Sequence, residues 1–228
     1  MLVSPVSAFL NNMPSKSSSK KAVKRVRNPG KTRASLLKAG IRLFCRKGYT
    51  GVSVDEIVAK ANCNKRMLYH YFGNKEGLYV SVLESVFAKL EMIEVGMLQR
   101  TENLSDVLEG LLESYFNFLE KNPEFVRLLM WENLNEGRFL AKHPDLLLKN
   151  PVVKELKAVL RQSPREHLKK IDSRHLLIQL YAISFIYHSN RSTFTHTLGL
   201  NLHDKNVRRT GVRQATAVIL QGLGIRDV

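Results

Sequence analysis

The chain has 228 residues, 44% of them apolar and 25% charged, with a formal net charge of +16. That apolar share is enough for a buried core, and no run approaches the roughly 20 apolar residues that a bilayer-crossing helix needs. The charge is unevenly placed: residues 1–75 hold 16 Lys and Arg against two acids, Asp55 and Glu56, so the first third carries +14 and the remainder only +2.

Residues 1–31 are rich in Ser, Lys, Pro and Asn and bury too little to offset the entropy of ordering, so they read as a disordered basic arm. The opening ten residues lack the basic start and long apolar run of a secretory leader, and a cytoplasmic location is expected. From Thr32, which can cap a helix, Leu36, Leu37, Ile41 and Phe44 recur at helical spacing until Gly48. A second helix is expected over 54–61, with Ser53 as its cap and Asp55 and Glu56 in the first turn, where the helix field favours acids. Asn62, Cys63 and Asn64 form a tight break, Asn62 being one of the few residue types that accept the left-handed conformation. A short third helix follows over 65–71, closed by Gly73 and Asn74.

The fourth helix starts near Lys75 and carries two apolar stripes, Leu78-Val82-Val86-Leu90-Ile93-Met97 and Tyr79-Leu83-Phe87. About 25 residues at 1.5 Å each make a strut of roughly 37 Å. Further helices are expected over 104–120, 123–135, 151–161, 164–170, 173–192 and 205–223. Pro123, Pro151 and Pro164 suit the first helical position, and Ser163 with Glu166 has the spacing of a capping box. No window alternates apolar and polar residues in the manner of a strand. The fold class is therefore all-α.

Two short helices joined by a tight turn, the second of them basic, form a helix-turn-helix, whose second helix enters the major groove of DNA. Leu68 and Phe72, four apart, would face inward. Asn64, Lys65, Arg66, Tyr69 and His70 would then face outward. Arg66 can bond guanine O6 and N7 in a fork, and Lys65 can reach guanine or phosphate. Tyr69 and His70 suit phosphate oxygens, as do Ser53 and Lys75 at the starts of their helices.

Residues 36–48 (LLKAGIRLFCRKG), 54–61 (VDEIVAKA) and 68–78 (LYHYFGNKEGL) resemble the DNA-binding domain of the TetR family of bacterial regulators. Asn62 stands where glycine is usual, Asn64 where serine or threonine is common, and Gly40 where alanine is typical. The resemblance implies DNA contacts at the positions of Lys65, Arg66, Tyr69, His70 and Lys75. Beyond the arm (1–31) read from composition, it implies a helix-turn-helix domain (32–75) and a larger helical domain (76–228) for effector binding and dimerisation. Homodimerisation is expected through 173–192, apolar almost all round, and 205–223. Two recognition helices would then meet a palindromic double-stranded operator.

If the resemblance holds, an unidentified small molecule occupies the middle helices, with Tyr115, Phe118, Arg127, Trp131, Asn135 and Tyr181 as candidate lining residues. Arg127 and Trp131, four apart on one helical face, suggest an anionic aromatic ligand. Each of these side chains also has a plain reading as core or as a solvated charge. A repressor released from its operator by an effector is the leading expectation.

The competing classes are a basic scaffold or membrane-surface protein and a helical enzyme. No catalytic triad, phosphate-binding loop or metal motif is recognisable, so no catalytic residue, cofactor or metal site is expected. Cys45 and Cys63 form no CxxC pair and read as buried, reduced thiols.

Overall fold

The computed structural model describes residues 29–98, 103–144 and 151–225. The expected arm lies outside these residues as far as position 28; its last three residues already belong to a helix. The elements are α1 (Pro29–Lys47), α2 (Val54–Lys60), α3 (Lys65–Phe72), α4 (Lys75–Leu98), α5 (Leu104–Lys121), α6 (Pro123–Leu134), α7 (Arg138–Lys142), α8 (Pro151–Gln162), α9 (Glu166–Lys169), α10 (Ser173–Ser189), α11 (Arg191–Leu198) and α12 (Lys205–Gly222). Among the described residues there is no strand.

Four expectations need correction. Helix α1 begins at Pro29 and not beyond Thr32, because proline at the first helical position lacks only an N–H that would have no partner there. The expected 173–192 helix breaks at Asn190 (φ −103°, ψ 18°) into α10 and α11. Glu136 and Gly137 both take left-handed backbone (φ 57° and 64°) and launch the unanticipated α7. Ser163 and Glu166 form no capping box: the Ser163 hydroxyl accepts from the Arg165 N–H at 3.3 Å, and α9 starts only at Glu166.

Helices α1 to α3 form the N-terminal unit. Ser53 caps α2 in a reciprocal box, its hydroxyl accepting from the Glu56 N–H while the Glu56 carboxylate accepts from the Ser53 N–H. Asn62 carries the turn at φ 51°, and Asn64 caps α3 by accepting from the Met67 N–H at 3.1 Å. Leu36, Phe44, Ile57 and Leu68 are completely buried beneath these helices. Gly40 has a packing reason for its lack of a side chain. A Cβ there would lie 3.2 Å from a Val82 methyl and 3.4 Å from Leu78, so α1 rests against α4 at close range.

The two units are joined by more than the α4 strut, because α6 packs across α1. The Trp131 indole N–H donates to the Cys45 carbonyl at 3.3 Å, and the Cys45 thiol donates to the Glu124 carbonyl at 3.2 Å. Burial pushes the Cys45 thiol up to about 12, so it is an inert packing group. The Tyr79 hydroxyl donates to Glu132 at 2.6 Å, both residues being buried. Phe44, Tyr49, Tyr79 and Phe139 form a ring cluster with centroids 4.5–6.2 Å apart, carrying the contact on to α7.

Gly48 lies within this joint. It holds φ 67°, and a Cβ would come within 2.8 Å of the Trp131 ring. Gly48→Ala is expected to destabilise the protein by about 1–2 kcal/mol from the left-handed backbone alone. The contact with Trp131 adds to that cost. Urea unfolding of the purified variant measures the sum, and an unchanged midpoint would show that the α1–α6 seam yields freely.

Candidate nucleic-acid interface and ligand cavity

Helix α3 is a short cylinder with one greasy side. Leu68 is fully buried and Phe72 is 9% exposed, while Asn64, Lys65, Arg66, Tyr69 and His70 all face solvent. Cys63 is half-buried, less enclosed than expected, and packs at the edge of the same core. Lys65 meets Asp55 at 2.8 Å, an ion pair between two exposed side chains. Such a pair is weak, because water screens both charges, and it exchanges readily for a phosphate. Asp55 holds the Lys65 ammonium above its ordinary range, so the charge is secure.

Lys75, at the start of α4, lies 4.2 Å from the Tyr49 ring centroid. Partial burial lowers its pKa. Ser53 is exposed at the start of α2. The structure adds one residue absent from the sequence reasoning: Arg33, on α1, is exposed and stands 5.2 Å over the Phe72 ring at the end of α3. Helical spacing alone could not place it there, because the contact crosses between elements.

The second site is a cavity of about 410 Å³ between α4, α5, α6 and α10. Its walls include Phe87, Leu90, Tyr115, Phe125, Leu177 and Phe185. Of the expected lining residues, Tyr115 and Tyr181 reach it. Phe118 lies one layer behind, its ring centroid 5.0 Å from that of Phe125. Arg127, Trp131 and Asn135 do not line the cavity. Arg127 faces solvent, Trp131 faces α1, and the Asn135 amide N–H donates to the Trp131 carbonyl at 2.6 Å. Sharing a helical face did not bring Arg127 and Trp131 to this cavity, because that face adjoins α1 and solvent.

The cavity's polar centre is one that sequence reasoning missed. Glu94, 6% exposed, accepts a hydrogen bond from the Tyr115 hydroxyl at 2.6 Å. Burial raises the Glu94 carboxyl above its ordinary value. The Tyr181 hydroxyl is buried and meets no hydrogen-bond partner among the described residues. A charged residue interrupting the apolar stripes of α4 was the available clue. Among the described residues no cluster of His, Cys, Asp and Glu could hold a metal ion. No described helix is long and apolar enough to cross a membrane.

Comparison with known proteins matches two family descriptions to this architecture. "Bacterial regulatory proteins, tetR family" covers residues 36–82, and "Tetracyclin repressor-like, C-terminal domain" covers residues 105–219. The chain belongs to the TetR family of bacterial regulatory proteins. This TetR-family chain is 29% identical over 202 residues to the HTH-type transcriptional repressor NicS of Pseudomonas putida, covering 87% of this chain and 95% of that one. It shares its fold with a TetR-like transcriptional regulator from Rhodococcus sp. RHA1 (TM-score 0.62, 17% identity, 86% and 97% covered). The regulator FadR of Bacillus subtilis, solved with stearoyl-CoA, is similar at TM-score 0.61 and 14% identity, with 80% and 97% covered. The family consists of transcriptional regulators and not enzymes.

Proposed function

We propose that this regulator is a homodimeric repressor that binds a palindromic operator and leaves it when a small molecule fills the cavity beside Glu94. The observation that carries the reading is α3, with Leu68 and Phe72 anchored inward and Lys65, Arg66, Tyr69 and His70 turned to solvent. In this reading Arg66 contacts a base edge, Lys65 exchanges Asp55 for DNA, and Ser53, Tyr69, His70, Lys75 and Arg33 hold phosphates. Asn64 holds the start of α3.

Dimerisation is supported by an apolar stripe on α10. Ile178, Ala182 and Ile186, spaced by four, are exposed in the single chain, as is Val218 on α12. A second copy would cover them and place two α3 helices roughly 34–36 Å apart, one turn of DNA. Such a protein works in the cytoplasm, where the DNA is. Ligand release would follow from differential affinity for two arrangements of the recognition helices.

Selection from random duplex DNA tests the reading, and the expected product is an inverted repeat. Arg66→Ala is expected to weaken operator binding by about 1–3 kcal/mol and to relax preference at one position of each half-site. Lys75→Ala is expected to weaken all sequences alike and to lower the salt slope by about one. Recovery of no motif, or of an asymmetric one, would defeat the palindrome reading.

A further inference from the structure

We propose that the cavity takes an organic cation, with a protonated amine seated on Glu94 and an apolar body lying among the surrounding rings. The inference rests on the reading of this chain as a ligand-responsive regulator and names the chemical class of its ligand.

The electrostatics of the walls decide the class. The polar residues that line the cavity are Glu91, Glu94, Tyr115, Tyr181 and Asn133; among the described residues no Lys, Arg or His lines it. Glu91 and Glu94 lie three apart on α4, where like charges repel. The Asn133 side-chain N–H already donates to the Leu129 carbonyl at 3.0 Å. Within one chain, a carboxylate or phosphate entering this space would meet two acids and, among the described residues, no cation. A neutral apolar molecule would fit but would leave Glu94 with the Tyr115 hydroxyl as its donor.

An ammonium group relieves both conditions. Its N–H groups can donate to the Glu94 carboxylate and, with a shift of the Tyr181 side chain, to that hydroxyl oxygen, which has no hydrogen-bond partner among the described residues. Its charge compensates the desolvation that disfavours the ionised form of Glu94. The rings suit it as well. Tyr115 and Tyr181 stand edge to face at 5.6 Å, Tyr181 stacks on Phe185 at 5.4 Å, and aromatic faces attract cations. The volume of about 410 Å³ falls within the range of small-molecule sites.

Three probes with one body and three heads test the assignment: 4-phenylbutylamine, 4-phenylbutanol and 4-phenylbutanoate. Their binding to the full chain is measured by calorimetry at about pH 8, where the amine is protonated. The amine is expected to bind roughly tenfold or more tighter than the alcohol, and the butanoate weakest. Glu94→Gln keeps the shape and removes the charge, so amine and alcohol should then bind within about threefold of each other. Thermal unfolding of the unliganded variant, expected at or above the wild-type Tm, shows that it is folded. Tyr181→Phe keeps the ring and should lower amine affinity several-fold.

A preference for butanoate or alcohol, an amine preference that survives Glu94→Gln, amine affinity unchanged in Tyr181→Phe, or no binding of any probe at about 1 mM each overturns the cation assignment. Operator selection on the same preparation separates the two levels. A protein that selects a palindrome but rejects the amine loses only its ligand class, whereas one that binds the amine but no DNA motif loses the regulator reading.

Discussion

Glu120→Ala is expected to lower the unfolding free energy by about 3–5 kcal/mol, the usual cost of stripping a buried charge of its partner. For a chain of this size that is a fall in Tm of roughly 6–20 °C. Glu120, near the end of α5, is where side chains of three other helices converge. Its carboxylate pairs with Arg208 of α12, lies 3.3 Å from His188 of α10, and lies 3.9 Å from Arg191 of α11. The Arg208 side chain is only 1% exposed and also donates to the Leu202 carbonyl. Without Glu120 a guanidinium would stay buried beside a second one, with no acid to balance either.

The double variant Glu120→Ala with Arg208→Leu should recover much of the loss, and a double-mutant cycle by denaturant unfolding reads the coupling. A cost below about 1 kcal/mol for Glu120→Ala would mean that water reaches Arg208. The pH dependence has a definite sign. Partial burial raises the Glu120 carboxyl, but the hydrogen bond and charge of Arg208 more than reverse this, leaving it below its ordinary 4.5. Its stabilisation is therefore present above pH 4.5 and is lost as the pH falls through the lower folded value. That acid-side loss should be flatter in the variant.

Leu68→Ala is expected to cost about 2–5 kcal/mol, the range for emptying a packed leucine site. It should also abolish sequence-specific DNA binding while leaving every cation of α3 in the chain. Leu68 is fully buried and belongs to a helix of eight residues, too short to persist without tertiary support. Losing the anchor should unfasten α3 before the rest of the fold unravels. Operator titration beside global unfolding distinguishes these events. Wild-type operator affinity in the variant would show that α3 is held by its caps and not by its core.

The contrast between what sequence made legible and what it hid follows interaction range. The Ser53 cap, Asn62, Gly48 and the spacing of Leu68 and Phe72 act within one turn or one helix, and the local pattern is enough to place them. The break at Asn190 was hidden because no Gly or Pro stands between Ser173 and Leu198 to mark it. The cavity was hidden for a different reason. Helical spacing says which residues share a face, but not which helix covers that face. Arg127 and Trp131 shared a face as expected, yet that side of α6 adjoins α1 and solvent. Glu94 stood in an apolar helix where a packing argument passes over an acid. The Glu120 cluster draws on α5, α10, α11 and α12, a convergence that only tertiary structure displays.

Helix α6 presents Phe125, Leu129 and Asn133 to the cavity and Trp131 and Glu132 to α1 and α4, all within twelve residues. A hybrid sensor made by grafting another reading unit at Lys75 would therefore inherit a severed linkage, since the graft would replace the surface onto which α6 is keyed. Transplants that carry the α1 face around Cys45, Gly48 and Tyr49 together with α6 and α7 should stay switchable. Those cut at the strut alone should bind DNA regardless of what fills the cavity.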